Sequence, residues 1–135
     1  MTSPHRLVNP DTLPPAVGYA HAVVAAPGRS VYVAGQVGQD ADGRIRGTTI
    51  SEQFEAAAMN VVAALAGAGA RPEHVVSLQI LVTDVDEYRA SLAELGTIYR
   101  RHLGRHYPAV VLAGVTRLFD PAAKVELVAQ AVVPD

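Results

Sequence analysis

The sequence predicts an α+β protein in which two helices pack on one face of a mixed four- to six-stranded sheet. Three observations predict this class: short valine-rich runs, two longer segments with apolar residues at three- and four-residue spacing, and the order β-β-α-β-α-β-β in which they alternate. With 135 residues and 50% apolar side chains, the chain is long and apolar enough for a single domain over residues 1–135.

The first third of the chain is predicted to form strands and turns. In the proline-rich N-terminal arm, Arg6–Val8 fits an edge strand, and the prolines that follow exclude regular structure. Ala20–Ala26 and Val31–Ala34 are predicted to pair as a hairpin through the turn sequence PGRS. The glycine-rich stretch Gly35–Gly47 is predicted to be a loop or an irregular second hairpin.

The first helix has a clear start. Thr49 is a candidate N-cap and Glu52 follows three residues later, which is the capping-box spacing. An apolar stripe from Phe54 to Leu65 then continues for about three turns at the helical spacing. Gly67 and Gly69 are expected to end the helix.

A strand, a second helix and two further strands complete the predicted order. His74–Val82 is short, apolar and β-branched, as a buried strand would be. Glu87–Leu103 is predicted to be the second helix, with Gly104 at its end. The last two strands are predicted at Ala109–Val115 and Ala122–Val133.

Composition excludes several classes of function. The chain has no cysteine, which excludes disulfides, thiolate catalysis and cysteine-bound zinc or iron–sulfur clusters. Its 11 basic and 13 acidic residues leave no positive excess for binding nucleic acid. No targeting segment is evident, and the longest apolar helix, Ala56–Ala70, is shorter than the roughly 20 residues of a membrane span. We therefore expect a cytoplasmic protein that binds no membrane.

Two features favour a homo-oligomer. Only 18% of the residues are charged, against about a quarter in ordinary globular domains. The predicted strands are also apolar on both faces, and no helix remains to cover the second face of the sheet. A second copy of the sheet is the simplest cover.

Six segments, in this order and spacing, carry a family resemblance. They are GYAHAV at 18–23, VYVAGQ at 31–36, ISEQ at 50–53, LVTD at 81–84, YPA at 107–109 and KVEL at 124–127. Together they resemble the Rid (YjgF/YER057c/UK114) family, whose best-known members are imine and enamine deaminases. The resemblance implies a chorismate-mutase-like fold and a homotrimer with ligand sites in the clefts between subunits.

Glu126 is the candidate catalytic residue. It lies in an otherwise apolar strand, on the face opposite Val125 and Leu127. A carboxylate at this place either faces an interface cleft or is an exposed edge-strand residue paired with an arginine such as Arg117. The resemblance implies the first, because the matching family glutamate is associated with the water that attacks the imine carbon.

The other candidate site residues are expected to bind substrate. The resemblance places Tyr19 in the substrate cleft, although a tyrosine at the start of a strand is more often a core residue. It also places the backbone of Gly35 against the ligand, where a glycine keeps the space free. His21 lies in the same motif as Tyr19 and could act as an acid or base, or it could simply face solvent.

Val110 marks the main departure from the family pattern. In the deaminating members an arginine follows Pro-Ala and binds the substrate carboxylate in a bidentate fork. Valine cannot bind a carboxylate. Val110 therefore indicates an apolar wall in the cleft and a substrate preference shifted away from α-imino carboxylates. Ala20, His21 and Gly96 also depart from the usual residues. Arg100 and its basic neighbours, Arg101 and Arg105, are explained by the helix dipole, although a replacement for the missing fork stays open.

These observations favour hydrolysis of the C=N bond of a small imine or enamine, without a cofactor. The alternative is a non-catalytic trimer that binds a small metabolite in the same cleft. Endoribonuclease activity, ascribed to some relatives, is disfavoured by the net charge of −2 and the 5% aromatic content. His102 and His106 have a spacing found in metal sites, but no third ligand is near in sequence, and we expect no metal.

Overall fold

A computed structural model describes residues 2–135 and contains a five-stranded mixed sheet, a separate two-stranded sheet and three α-helices. In chain order the elements are β1 (Arg6–Val8), β2 (Ala22–Val24), β3 (Gly28–Tyr32), β4 (Gln36–Val37), α1 (Ile50–Gly67), β5 (Val75–Val82), α2 (Val85–Ala90), α3 (Leu92–Leu103), β6 (Ala109–Gly114) and β7 (Val125–Pro134). The α+β prediction and the predicted edge strand are therefore confirmed.

The large sheet is built around β7, the last strand. Its order is β3-β7-β5-β6, and the short β4 also pairs with β7. The β5–β6 pair is parallel, whereas β3, β4 and β5 all run antiparallel to β7. The C-terminal strand is consequently at the centre of the fold, and α1 packs across it.

The predicted N-terminal hairpin is wrong. β2 pairs with β1 in the small sheet, with Leu7 opposite Val23, and β3 pairs with β7 in the large one. The PGRS segment is not a turn, because β3 already begins at Gly28. A Cβ at Gly28 would lie 2.1 Å from the carbonyl oxygen of Val133. The glycine thus permits a close approach between strands rather than a reversal of the chain.

The first helix begins as predicted. The hydroxyl of Thr49 accepts a hydrogen bond from the backbone N–H of Glu52 at 3.1 Å, and the Glu52 carboxylate accepts one from the N–H of Thr49 at 3.1 Å. These bonds satisfy two N–H groups that the helix itself leaves without partners. Hydrogen bonds from the backbone N–H groups of Thr48 and Thr49 to the Glu52 carboxylate lower the pKa of this carboxyl.

The predicted second helix is interrupted at Ser91, so the sheet carries three helices instead of two. Asp84 caps α2 by accepting a hydrogen bond from the N–H of Glu87 at 3.0 Å. The N–H of Ser91 then donates to Tyr88 three residues back, at 3.1 Å, which tightens the last turn of α2. α3 begins at the next residue, Leu92, and buries Leu95, Ile98 and Leu103.

The helices cover one face of the sheet and leave the other open within the chain. On β7, Val125, Leu127, Ala129 and Ala131 are buried, while the residues between them are half-buried or exposed. The open face includes Tyr32, which is 75% exposed, and Val111, which is 56% exposed. The alternation predicted for this strand is confirmed, and the open face exposes apolar side chains such as these two to water.

Three buried histidines lie around the start of β5, and one of them, His5, ties the N-terminal arm to it. Nε2 of His5 donates to the carbonyl of His74 at 2.9 Å, and Nδ1 of His5 accepts from the N–H of Ala26 at 3.0 Å. Nδ1 of His74 accepts a hydrogen bond from the N–H of Arg71 at 3.0 Å, and Nε2 of His106 donates one to the carbonyl oxygen of Val75 at 2.7 Å. Sequence patterns gave no sign of this cluster.

Acid is expected to destabilise this cluster. Burial lowers the pKa of His74, an effect that Glu73 opposes and that Arg71, His5 and His106 reinforce. Folding therefore favours the neutral ring of His74. The contribution of this ring to the stability of the fold is complete above the pKa of histidine in the unfolded chain, about 6.5, and is lost as the pH falls below that value. The thermal midpoint should fall between pH 7 and pH 5, and it should fall less in His74→Asn. Equal pH slopes in the two proteins would contradict this assignment.

Candidate functional site

The structure brings Glu126 and Gly35 into direct contact. Glu126 lies half-buried on the open face of β7, where it is opposite Val37 of β4 and Leu81 of β5. Gly35 lies in the bend between β3 and β4, and a Cβ there would be 2.3 Å from Oε2 of Glu126. The absence of a side chain at Gly35 is therefore what allows the carboxylate to occupy its position.

Gln53 fixes the chain just before Glu126, and sequence reasoning missed this role. Its side chain is buried, and Oε1 accepts from the N–H of Lys124 at 2.7 Å. Nε2 donates to the carbonyls of Ala122 at 3.0 Å and Gly47 at 3.3 Å. The signal was available, because Gln53 is a polar residue on the apolar face of α1, and buried polar groups need such partners.

Lys124 anchors the same segment from the other side. Its ammonium group donates to both carboxylate oxygens of Glu87, each at 2.8 Å, and Glu87 also accepts from the N–H of Ile50 at 3.1 Å. These bonds connect β7, α2 and the N-terminus of α1 at one point. The start of β7 is consequently held by a side chain from each of two helices.

Tyr19 and Val110 line a groove of about 960 Å³ between α3 and the edge strand β6. The segment that carries Tyr19 is attached to this edge because the N–H of Ala20 donates to the carbonyl of Pro108 at 2.9 Å. The remaining wall is mostly apolar and aromatic; it includes Leu92, Gly96, Tyr99, Tyr107 and Leu112. The groove is thus suited to a ligand with an apolar body.

Two tyrosines give the groove a rigid aromatic side. The rings of Tyr99 and Tyr107 stack with centroids 5.2 Å apart. The hydroxyl of Tyr99 donates to the carbonyl of His106 at 2.7 Å, and burial raises the pKa of this phenol well above its usual range. The neutral ring of Tyr99 therefore forms a fixed part of the groove wall and does not act as an acid or base.

His21 lies beside the groove but is used in part to hold the N-terminal arm. Its ring packs edge-on against Tyr19, with centroids 5.1 Å apart. Nε2 of His21 is 2.7 Å from the carbonyl oxygen of Pro14, and its backbone N–H donates to Asn9 at 2.9 Å. A carbonyl only accepts, so Nε2 carries the proton and Nδ1 is the basic nitrogen of the neutral ring.

Within one chain these two groups of residues are separate. Val110 is paired with the buried Leu78 and packs toward the helices, whereas Glu126 lies on the opposite face of the sheet. The strands β6 and β7 are separated by β5, which places them about 10 Å apart. One chain therefore places Tyr19 near Val110 and Glu126 next to Gly35, but it keeps these two pairs apart.

Arg101 and His102 join α3 to α1. Nε2 of His102 contacts Glu55 of α1 at 2.8 Å, and the guanidinium of Arg101 donates to the same carboxylate. The bond from His102, followed by that from Arg101, lowers the pKa of the Glu55 carboxyl. Over residues 2–135, no cluster of three or more His, Asp or Glu side chains is arranged to hold a metal ion.

The structure is that of a small α+β protein with three helices on one face of a mixed sheet, an acid on the central strand and a groove at the sheet edge. Residues 10–133 match the family model described as endoribonuclease L-PSP. The chain belongs to that family, the Rid (YjgF/YER057c/UK114) family, as the quoted segments predicted.

Individual relatives agree with this assignment. The goat (Capra hircus) protein named 2-iminobutanoate/2-iminopropanoate deaminase is 28% identical over 129 residues, which cover 94% of this chain and 89% of the goat protein. The Rid-family protein YyfB of Yersinia pestis is 32% identical, with a TM-score of 0.86 over 96% of this chain and 98% of its own. Rv2704 of Mycobacterium tuberculosis, of the YjgF/YER057c/UK114 family, is 32% identical, with a TM-score of 0.64 over 96% and 99%.

None of the helices in residues 2–135 combines the length and the hydropathy that crossing a bilayer requires.

Proposed function

We propose that the protein hydrolyses the C=N bond of small imines, or of enamines after tautomerisation, to a carbonyl compound and ammonia. The contact between the Glu126 carboxylate and the backbone at Gly35 carries the proposal, because it holds an acid on an otherwise largely apolar sheet face without a side chain to block access. The goat relative named as a deaminase supports the same reaction class.

In the proposed mechanism Glu126 accepts a proton from water as the water oxygen attacks the imine carbon. Glu126 returns this proton to the nitrogen, which gives a neutral carbinolamine. Glu126 then takes the proton of the carbinolamine hydroxyl and passes it to the nitrogen, so that the C–N bond breaks and ammonia leaves as the C=O bond forms. The Gly35 backbone and the Tyr19 hydroxyl orient the substrate, and His21 extends the edge of the cleft. A positioned general base of this kind contributes about 10²- to 10⁴-fold to a rate.

We propose that the working unit is a cytoplasmic homotrimer. The open sheet face with Tyr32 and Val111 needs a cover, and a further copy of the same face supplies one. In such a trimer the Glu126–Gly35 pair of one subunit would meet the Tyr19–Val110 groove of the next. The separation of the two pairs within one chain is the observation that supports an inter-subunit cleft.

Val110 sets the substrate preference in this proposal. A carboxylate next to the C=N bond would meet an apolar wall at this position, and an unpaired charge in an apolar cleft is penalised by several kcal/mol. Turnover of the smallest α-imino carboxylates is therefore expected to be weak compared with that of substrates that have no charge at this point.

Glu126→Gln tests the reaction. Imines are generated in solution by an amino-acid oxidase, and the fraction that escapes hydrolysis is trapped by semicarbazide. Acceleration by the wild type should fall about 100-fold or more in Glu126→Gln, because the amide cannot accept the proton. Glu94→Gln, which makes the same substitution at an exposed residue of α3 that does not line the groove, serves as the control.

The same experiment separates the enzyme from its alternative. If no imine is hydrolysed faster, while a small metabolite raises the thermal midpoint of the wild type, the protein is a non-catalytic binder. If Glu126→Gln retains the full acceleration, the assignment of Glu126 is wrong.

A further inference from the structure

Arg100 of α3 reaches into the groove that Tyr19 and Val110 line. It lies one helical turn after Gly96, and side chains on a helix lean toward its N-terminus, so the guanidinium folds back over the glycine. A Cβ at Gly96 would lie 3.3 Å from Nη1 of Arg100 and 4.0 Å from Nη2. The missing side chain at Gly96 thus provides the space in which the guanidinium lies.

The guanidinium of Arg100 has no acidic partner within 4.0 Å among residues 2–135. This distinguishes it from its neighbour Arg101, which pairs with Glu55. Complementing the helix dipole explains a positive charge near the end of α3, but it does not explain why this one is directed into the groove.

The groove is otherwise uncharged. Of the described residues that line it, Arg100 alone has a formal charge, and the rest are aliphatic, aromatic or glycine. An unpaired guanidinium at the side of an apolar groove is complementary to an anion attached to an apolar body.

We propose that Arg100 binds the carboxylate of an acid whose apolar body lies against Tyr99 and Leu92. This deepens the proposed function and rests on it in one respect, that the groove is the ligand cleft. Arg100 lies on the helix side of the groove, and Val110 lies on the strand side. The residue that binds the carboxylate is therefore on the opposite side of the groove from the family arginine that Val110 replaces. A ligand held in this way has its acid group away from the strand, in agreement with a shift away from α-imino carboxylates.

Binding without turnover tests the proposal. The probe is 3-phenylpropanoate, compared with its neutral isostere 3-phenylpropanamide, and the affinity of each is measured by titration calorimetry. The wild type should prefer the carboxylate about tenfold or more, as expected for a charge-assisted hydrogen bond. Arg100→Gln should lose the preference, and Arg100→Lys should keep part of it.

Arg105→Gln is the matched control, because it removes the same charge from an exposed position outside the groove. Loss of the preference in Arg100→Gln, with retention in Arg105→Gln, supports the proposal. Equal affinities for the two probes in the wild type, or an undiminished preference in Arg100→Gln, would overturn it. Neither result depends on imine hydrolysis, so a failure of the proposed reaction is distinguishable from a failure of this binding site.

Discussion

Gly35→Ala is expected to abolish imine hydrolysis while leaving the fold intact. The new Cβ would lie 2.3 Å from Oε2 and 2.8 Å from Cδ of Glu126, so the carboxylate must move away. Because these atoms are the end of a flexible side chain, the displacement should cost less than about 1 kcal/mol of unfolding free energy. The activity should nevertheless fall about 100-fold, since a displaced base no longer meets the attacking water.

Gly67→Ala is the matched control for Gly35→Ala. A Cβ at Gly67 meets no atom within 4 Å, and alanine is the better helix former, so activity and thermal midpoint should be kept. The measurement is the imine-hydrolysis rate together with a thermal melt. A Gly35→Ala protein with full activity would show that the position of the Glu126 carboxylate does not matter.

Gln53→Leu is expected to be the most destabilising single change at the site. Leucine has a similar volume but removes the partners of three backbone groups, those of Gly47, Ala122 and Lys124. Leaving three partly buried groups without partners in this way should cost about 3 kcal/mol, or about 10 °C in thermal midpoint. Activity should fall as well, because the chain two residues before Glu126 loses its anchor.

Gln39→Leu controls for the loss of an amide. The side chain of Gln39 is exposed, so the same substitution there should change the unfolding free energy by less than about 0.5 kcal/mol. Denaturant unfolding of the three proteins gives the comparison. Equal stabilities for the Gln53 and Gln39 variants would mean that the Gln53 hydrogen bonds contribute nothing.

The parts of the fold that local chemistry determines were predictable. The capping box at Thr49 and Glu52 and the alternation of β7 follow from hydrogen-bonding groups and spacing within a few residues. The pairing of β3 was not predictable in this way. A Pro-Gly pair locally indicates a turn, but here Gly28 allows close contact with a strand about a hundred residues later. Interactions that are distant in sequence leave no local pattern.

The same limit applies to the candidate site. Glu126 could be chosen as a candidate from the sequence, because a carboxylate in an apolar strand is conspicuous. Its contact with Gly35 could be recognised only from the three-dimensional structure. His5 acts only through backbone groups that the tertiary structure brings near, so composition and spacing do not reveal its role. Gln53 is conspicuous as a polar residue on the apolar face of α1, but its partner Lys124 is distant in sequence. The turn of Arg100 into the groove likewise depends on Gly96, one helical turn earlier.

We propose that two subunits complete each site, and the activity of mixed assemblies shows whether they do. One chain has Glu126→Gln, and the other has Gly96→Trp, which should fill the groove but leave Glu126 untouched. Each variant alone should be inactive. If one chain supplies the acid and its neighbour supplies the groove, random mixed trimers should recover about a quarter of the wild-type activity. Mixed particles shown to contain both chains but without any recovered activity would contradict the claim.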